Sequence, residues 1–243
     1  MTKSTNTSHQ NLQKQKTEPI KKRFEYKYWI DWKTYSILRP RIRSLLSSDS
    51  NCDENGEYFI RSVYFDSPQR HCVREKEDGL ENRKKYRARC YGKADVQKLK
   101  FEIKYRDKNK IWKNSLNLSK EQYIHFLHTK ETPSNSAFSK ELSYDFRRFA
   151  LSPMTIVQYT REAYIYPVSN VRITFDKHLC HSSFCTDIFR NHPQIYAHPK
   201  DRLILEVKFN DFLPPLIRSI LFKQLPKRTS ISKYLLCYHG AYQ

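Results

Sequence analysis

Charged and hydrophobic residues alternate along several short segments of the chain. In residues 83–92, RKKYRARCYG, every second position from Lys85 to Arg89 is basic. A period of two is typical of a β-strand, whose side chains point alternately to the two faces of a sheet. Similar alternation, or enrichment in β-branched and aromatic residues, predicts further strands. These lie at residues 23–30, 58–65, 98–105, 155–166, 171–176 and 203–209.

Helices are predicted between these strands. Ser119 is followed three residues later by Gln122, which is the pattern of a capping box at a helix N-terminus. Another helical segment stops before Pro153. Because the chain has no regular strand–helix rhythm and no internal repeat, an antiparallel α+β domain fits best. The predicted helices lie at about 31–46, from Ser119, at about 136–150, after Pro214 and from about Ser230.

In each of the five clearest strands, one set of alternate positions carries the charged residues, and we call this set the charged parity. Most of its residues are basic. Alternation alone fits an antiparallel sheet whose charged face lies in water. However, like charges on neighbouring strands repel each other, and this face has ten basic against four acidic residues. The basic residues are Arg23, Lys27, Lys85, Arg87, Arg89, Lys98, Lys100, Lys104, Arg172 and Lys208. The acidic residues are Glu25, Glu102, Asp176 and Glu206.

Two more features concern the arrangement of this charged face. The frame Glu-x-Lys recurs on three strands, and the opposite face is apolar, with amphipathic helices available to cover it. A sheet closed on itself, polar inside and covered by helices outside, satisfies both. The sequence therefore favours a tunnel lined by cations, with a few carboxylates among them.

The composition indicates a globular protein with a polyanionic partner. The 243 residues are 38% hydrophobic and 14% aromatic, which is enough for one large or two small domains. A net charge of +20 predicts binding to nucleic acid, an acidic membrane surface or a phosphate-rich small molecule. With four glycines and no GxxxxGK[ST] motif, a P-loop is excluded.

The N-terminal residues and the cysteines bear on location. Residues 1–19 are polar, are predicted to be disordered, and lack the apolar stretch of a secretory signal. No apolar run approaches the roughly 20 residues of a membrane-spanning helix. The six cysteines form no CxxC pair, so we expect reduced thiols and a cytoplasmic protein. The spacing of His178, Cys180, His181 and Cys185 matches no common structural zinc site.

A series of motifs carries a family resemblance. FEYKY, SVYFDS, KYRARCYG, KFEIKYRDKNKIWK, VQYTREAY, VRITFD, LILEVKF and SKYLLC follow one another between about residues 21 and 238. The series resembles the VTC domain, the polyphosphate polymerase domain of the vacuolar transporter chaperone family. That family is part of the CYTH-like superfamily of triphosphate tunnel metalloenzymes. The resemblance implies an eight-stranded antiparallel barrel in which, with Mn²⁺ or Mg²⁺, the γ-phosphoryl group of ATP is transferred to a growing polyphosphate chain.

The resemblance also implies site residues. The basic ligands of the phosphates would be Lys27, Lys76, Arg87, Arg89, Lys104, Lys113, Arg161, Arg172, Lys208 and Lys233. Among them Lys208 and Lys233 are expected to act in catalysis. Lys76 is the loosest match, because Arg74 competes for the same position. Glu206 matches the metal-binding carboxylate.

One departure from the wider superfamily concerns the first strand. Tunnel triphosphatases begin with ExExK, whereas this chain has Arg23 in place of the first Glu. This favours the polymerase, although Glu25 leaves hydrolysis open. We also expect Tyr64 and Tyr159 to pack rather than to contact substrate, and Asp176 either to orient Arg172 or to bind metal.

The expected organisation is a single tunnel domain over residues 20–243. The expected partners are ATP or another triphosphate and inorganic polyphosphate, with association with a membrane partner left open. Nucleic acid is not expected, because carboxylates share the same faces as the cations and no RNP-type or zinc-finger pattern occurs. The alternative functions are an inorganic triphosphatase and a non-catalytic polyphosphate-binding module.

Overall fold

The computed structural model describes residues 22–92, 96–182, 186–191 and 195–242. The tail predicted to be disordered, residues 1–19, lies outside these ranges. Ten strands of the described residues form one sheet: β1 (Phe24–Asp31), β2 (Ser47–Ser48), β3 (Glu57–Asp66), β4 (Arg83–Tyr91), β5 (Lys98–Asp107), β6 (Lys110–Ser119), β7 (Ser152–Tyr166), β8 (Val171–Ser182), β9 (Ile195–Tyr196) and β10 (Arg202–Phe209).

Six α-helices accompany the sheet in the described part of the chain. They are α1 (Trp32–Arg43), α2 (His71–Glu77), α3 (Lys120–Thr129), α4 (Ala137–Arg148), α5 (Pro215–Phe222) and α6 (Lys233–Tyr242). The predicted capping box is present at α3, where Ser119 and Gln122 exchange side-chain to backbone hydrogen bonds. None of these helices is long and apolar enough to cross a bilayer.

The sheet curls back on itself. Eight strands form a continuous antiparallel path in the order β1-β10-β8-β7-β3-β4-β5-β6, while β2 and β9 pair with β7 and β8. The two end strands meet at a bridge between Arg23 and Ile111, where each N–H donates to the other residue's carbonyl oxygen at 3.0 Å. The predicted α+β fold with an antiparallel tunnel is confirmed.

The hydrophobic core lies outside the barrel, between the sheet and the helices. On one side the ring of Phe146 on α4 contacts the rings of Phe65, Phe101 and Phe126 at centroid distances of 5.2, 5.4 and 4.9 Å. On the other side α1 and α5 cover β1, β8 and β10 with a second buried cluster. Because the apolar parity of each long strand packs outward, the charged parity faces the interior.

Several elements differ from the sequence prediction. Strand β6 was not predicted, because Ile111 stands on its charged parity and Asn114 on its apolar parity. Helix α2 and the two-residue strands β2 and β9 were also missed. Strand β8 continues to Ser182 instead of ending at residue 176.

Candidate functional site

The inward face of the barrel surrounds a cavity of about 340 Å³. Among the described residues, its wall carries fourteen Lys and Arg side chains and two carboxylates, Glu25 and Glu206. All eleven residues to which the sequence prediction gave a phosphate- or metal-binding role line this one cavity. They are Lys27, Lys76, Arg87, Arg89, Lys104, Lys113, Arg161, Arg172, Glu206, Lys208 and Lys233.

Two of these side chains come from helices rather than strands. Lys76 lies on α2, and its Nζ donates to Ser230 Oγ at 2.8 Å, whereas the competing Arg74 is exposed. Lys233 is the first residue of α6 and is buried. The strands supply the other residues, because inward side chains recur at every second position.

The two carboxylates on the cavity wall are each held by cations. Glu25 lies 3.0 Å from Lys27 Nζ and 2.9 Å from Lys104 Nζ, and Glu206 lies 2.8 Å from Lys208 Nζ. Burial acts to raise the pKa of both carboxyls, but the surrounding cations outweigh it and hold both pKa values below the usual range. Both groups are therefore ionised at neutral pH and are weak proton acceptors.

Two more carboxylates lie behind the wall and orient its arginines. Glu102 and Asp176 are fully buried. Arg87 Nη2 lies 2.5 Å from Glu102 Oε2. Arg161 makes a two-point pair with Asp176, with Nε–Oδ1 at 2.6 Å and Nη2–Oδ2 at 2.7 Å. Such bidentate pairs fix the plane of a guanidinium group and thus the direction of its remaining donors.

Asp176 was expected to orient Arg172, and this choice of partner was wrong. Asp176 orients Arg161 and also lies 2.5 Å from Lys233 Nζ. Arg172 instead pairs with Asp49, and its Nη2 donates to the hydroxyl of Tyr58 at 2.9 Å. Strand register explains the exchange, because β8 places Asp176 directly opposite Arg161 of β7.

Tyrosines contribute more than packing. Tyr64 accepts a hydrogen bond from Arg87 Nη1 at 3.0 Å, and Tyr159 accepts one from Arg89 Nη2 at 3.2 Å. Both side chains pack in the buried core, as expected, and both also line the cavity. Register shifts directly after Tyr64 and around Tyr159 disturb the period of two, so parity alone does not place these rings.

The lysines differ in their protonation. Burial lowers the pKa of Lys104 to about 8 and that of Lys208 to about 7, although Glu25 and Glu206 act in the opposite direction. For Lys233 the burial effect is outweighed by Asp176 and Glu206, and the pKa is raised. At neutral pH Lys233 is thus fully charged, while Lys208 is close to its titration point.

The segment at residues 229–232, here called the strap, was given no binding role in the sequence prediction. It crosses the cavity wall just before α6. Lys27 Nζ donates to the carbonyl oxygen of Ile231 at 3.0 Å, and Lys85 Nζ donates to Ser232 Oγ at 2.7 Å.

Other wall residues missed as ligands are Arg23, Arg83, Lys85, Tyr91, Arg106 and Trp112. Arg23 and Lys85 were visible in the basic parity, whereas the strap has no periodic signal.

The carboxylates of the cavity wall fit a divalent metal ion that binds together with a phosphate ligand. The described residues contain no group of three or more His, Cys, Asp or Glu side chains arranged around a metal position. Mg²⁺-type ions need only one or two protein carboxylates when phosphate oxygens and water complete the shell. Glu206 and Glu25 are such a pair on neighbouring strands. In the other cluster, His178 is exposed, Cys180 and His181 are buried, and Cys185 lies outside the described residues.

Comparisons with known proteins agree with this geometry. The VTC domain model matches residues 22–242, while no curated protein matches the chain. A Hippeastrum protein, proposed to be an adenylyl cyclase and described as having a dominant triphosphatase activity, has a TM-score of 0.55 and 11% identity, covering 90% of this chain and 96% of that chain.

Other solved structures are also similar. A Bacillus halodurans protein proposed to be an adenylate cyclase has a TM-score of 0.48 and 12% identity, covering 83% of this chain and 86% of that chain. A Pyrococcus horikoshii protein has a TM-score of 0.48 and 12% identity, covering 88% of this chain and 97% of that chain. The structural likeness concerns the fold, whereas the family model spans every described residue. The chain belongs to the VTC domain family.

Proposed function

We propose that this protein is a polyphosphate polymerase that binds ATP in the tunnel and transfers its γ-phosphoryl group to the end of an inorganic polyphosphate chain. The observation that carries the proposal is the state of the two wall carboxylates. Glu25 and Glu206 are both ion-paired, and the pKa of each is below its usual range.

The state of these carboxylates distinguishes the two reactions. Hydrolysis benefits from a general base whose pKa lies near the working pH, because the attacking water must lose a proton. Strongly acidic carboxyls serve this role poorly. The end of a polyphosphate chain already carries ionised oxygens, so its attack needs no base. It does need cations, because two anions must approach each other.

The cationic wall supplies this screening. The basic side chains on the wall exceed the acidic ones by twelve, or by ten when Glu102 and Asp176 behind the wall are included. A triphosphate carries about four negative charges, so the surplus suits a triphosphate together with a chain end. Arg87 and Arg89, two residues apart on β4, offer planar donors to neighbouring phosphoryl groups.

Lys208 and Lys233 are the proposed catalytic residues. Both contact Glu206, with Nζ–O distances of 2.8 and 3.4 Å. Glu206 would hold the divalent metal, which neutralises phosphate charge and orients the transferred group. Lys233 keeps its charge at working pH and would stabilise negative charge on the leaving phosphate oxygens. Lys208 gains its proton when an anion binds beside it.

An inorganic triphosphatase is the second candidate. The same fold occurs in the Hippeastrum protein described as having a dominant triphosphatase activity. Glu25 on β1 lines the cavity, as a carboxylate of a hydrolase would. A non-catalytic polyphosphate-binding module would use the same wall without turnover.

The test follows γ-labelled ATP with Mn²⁺ and a short polyphosphate primer. We expect label in acid-labile chains that lengthen with time. Label released only as orthophosphate would identify a triphosphatase, and binding without turnover would identify a binding module. Lys233→Gln should abolish chain growth. Lys223→Gln, which removes an exposed cation away from the cavity, is the matched control.

A further inference from the structure

A lysine and a serine form a close pair on the tunnel wall that the proposed polymerase reaction does not use. Lys85 on β4 and Ser232 in the strap both line the cavity. The distance between Lys85 Nζ and Ser232 Oγ is 2.7 Å. Ser232 is buried, with 8% of its surface exposed. The serine hydroxyl therefore faces the volume in which a triphosphate would bind.

The surroundings of Lys85 favour the neutral amine. Among the described residues, Lys85 has no carboxylate within ion-pair distance. Its charged neighbours are Lys27, Lys104 and Arg83, and the thiol of Cys72 is also close. Burial, followed by the charges of Lys27 and Lys104, lowers the pKa of Lys85 well below its ordinary value. A neutral amine accepts a proton from a hydroxyl at hydrogen-bond distance, which is the arrangement of a serine nucleophile with a lysine base.

Ser232 also has a structural contact. Its Oγ accepts a hydrogen bond from the backbone N–H of Leu235 at 3.2 Å, in the manner of a helix N-cap, since α6 begins at the next residue. This cap occupies one lone pair of the oxygen and leaves the hydroxyl proton free to be donated. A cap needs no lysine, so capping alone does not account for Lys85.

We propose that Ser232 is the acceptor of the first phosphoryl group, with Lys85 as its base, so that the polyphosphate chain begins on the protein itself. This inference rests on the proposed function, because it uses the same bound triphosphate. Ser232 Oγ forms a bond to the γ-phosphorus, while the bond between that phosphorus and the bridging oxygen of the β-phosphate breaks. ADP leaves with the electron pair on that oxygen, and the hydroxyl proton passes to Lys85 Nζ.

The resulting phosphoserine continues the reaction without a base. Its phosphate oxygens are ionised near neutral pH, since the second pKa of a phosphoserine is about 6. They can attack the γ-phosphorus of the next triphosphate. Two lysines around the strap then hold the charged chain. Lys27 donates to the carbonyl oxygen of Ile231, and Lys85, which is charged once it has taken up the hydroxyl proton, lies 2.7 Å from Ser232 Oγ.

A neighbouring pair provides an internal control. Ser230 Oγ accepts a hydrogen bond from Lys76 Nζ at 2.8 Å, but Ser230 is exposed. We assign the acceptor role to Ser232 because it is the buried serine and directly precedes Lys233. Ser230→Ala should therefore leave labelling of Ser232 in place.

The experiment incubates the full chain with γ-labelled ATP and Mn²⁺, without primer, and then denatures it in acid. Acid hydrolyses phosphoanhydride bonds but spares a phosphoserine ester, so one label per chain should remain in the peptide that contains Ser232. Ser232→Asn keeps a good helix cap but has no hydroxyl, and should lose this label. Lys85→Arg keeps a long hydrogen-bonding side chain but is permanently charged and cannot accept the proton, and it should lower the labelling rate by about a hundredfold.

Melting curves and calorimetric binding of a triphosphate analogue will establish that the variants fold and bind. Polyphosphate made by the wild-type protein without acid-stable label on Ser232 would overturn this inference and leave the proposed function intact. Acid-stable label on Ser232 with no acid-labile phosphate chain, either tethered to the protein or free, would support phosphoryl transfer to Ser232 and overturn the polymerase. Equal label in the wild-type protein and in Ser232→Asn would also overturn the inference.

Discussion

Arg87 and Arg89 lie two residues apart on the same face of β4, yet within the described part of the chain only Arg87 pairs with a carboxylate. Arg87 pairs with Glu102 at 2.5 Å, whereas Arg89 donates to the hydroxyl groups of Ser62 and Tyr159 at 3.0 and 3.2 Å. Arg89 is 5% exposed, and no carboxylate of the described residues lies within ion-pair distance of it. We therefore expect its charge to be available to an anion from outside the protein.

The first prediction contrasts the two arginines. Arg89→Met should raise the melting temperature by about 2–4 °C, because it removes an uncompensated buried charge worth about 1 kcal/mol. It should also weaken triphosphate binding at least tenfold. Arg87→Met should weaken binding as well, but it should lower the stability by about 2 kcal/mol, since Glu102 keeps only Lys113 as partner. Calorimetry and thermal melts check both variants, and a stability loss in Arg89→Met would contradict the assignment.

The second prediction concerns the carboxylate behind Arg161. Asp176→Asn removes the nearer of the two carboxylates that pair with the buried cations Arg161 and Lys233, and leaves them Glu206 at 3.6 and 3.4 Å. We expect a loss of about 3 kcal/mol in the free energy of unfolding, measured by urea denaturation. Added polyphosphate should restore more stability to this variant than to the wild-type protein, because its charges replace that of Asp176. Equal stabilisation of both proteins would argue against a shared anion site.

The third prediction separates metal binding from phosphate binding. Glu206→Gln keeps the shape of the side chain but removes the hard anionic ligand that Mn²⁺ or Mg²⁺ prefers. Turnover should fall about a hundredfold or more, while polyphosphate binding measured without metal is retained or becomes tighter. Glu25→Gln is the matched variant at the other wall carboxylate. Metal-dependent turnover that survives in Glu206→Gln would assign the metal elsewhere.

The fourth prediction is an uptake of protons on binding. The pKa of Lys104 is about 8 and that of Lys208 is about 7, and a bound triphosphate favours the charged amines. At pH 8 binding should therefore take up roughly one proton per triphosphate, and affinity should fall as the pH rises above about 7. Calorimetry in two buffers with different ionisation enthalpies measures the uptake. Lys104→Arg should reduce it, and heats that do not depend on the buffer would refute the idea.

The same two lysines affect stability with the opposite sign. Between their pKa values in the folded protein and about 10.4 in the unfolded chain, the unfolded chain binds more protons. The free energy of unfolding contributed by Lys104 and Lys208 therefore rises with pH over this window and is lowest below pH 7. Urea denaturation at pH 7 and pH 9 checks the direction, with the Lys104→Arg, Lys208→Arg double variant as the control that should lose this dependence.

Sequence periodicity predicted the tunnel because the barrel keeps each parity on one side of the wall. Residues such as Arg87, Arg89 and Glu206 could therefore be placed on the inner face from alternation alone. Side chains outside a regular strand could not be placed in this way. Lys233 was identified only through the family resemblance, because it begins a helix. Ser232 opens the same SKYLLC motif, but nothing in the sequence gave it a role. Their positions depend on how the strap crosses the barrel, which is a tertiary feature without a local pattern.

The barrel places its first strand beside its last, and this has a consequence for biosynthesis. The bond from Lys27 to Ile231 joins residues 204 positions apart, and β1 pairs along its length with β10. While the ribosome makes the intervening chain, β1 has no partner on the edge that will pair with β10, and its aromatic side chains remain exposed to solvent. Contacts between residues so far apart in the sequence form slowly, and strands that remain unpaired are prone to aggregation. We therefore expect the nascent chain to need protection by chaperones until β10 and the strap have emerged.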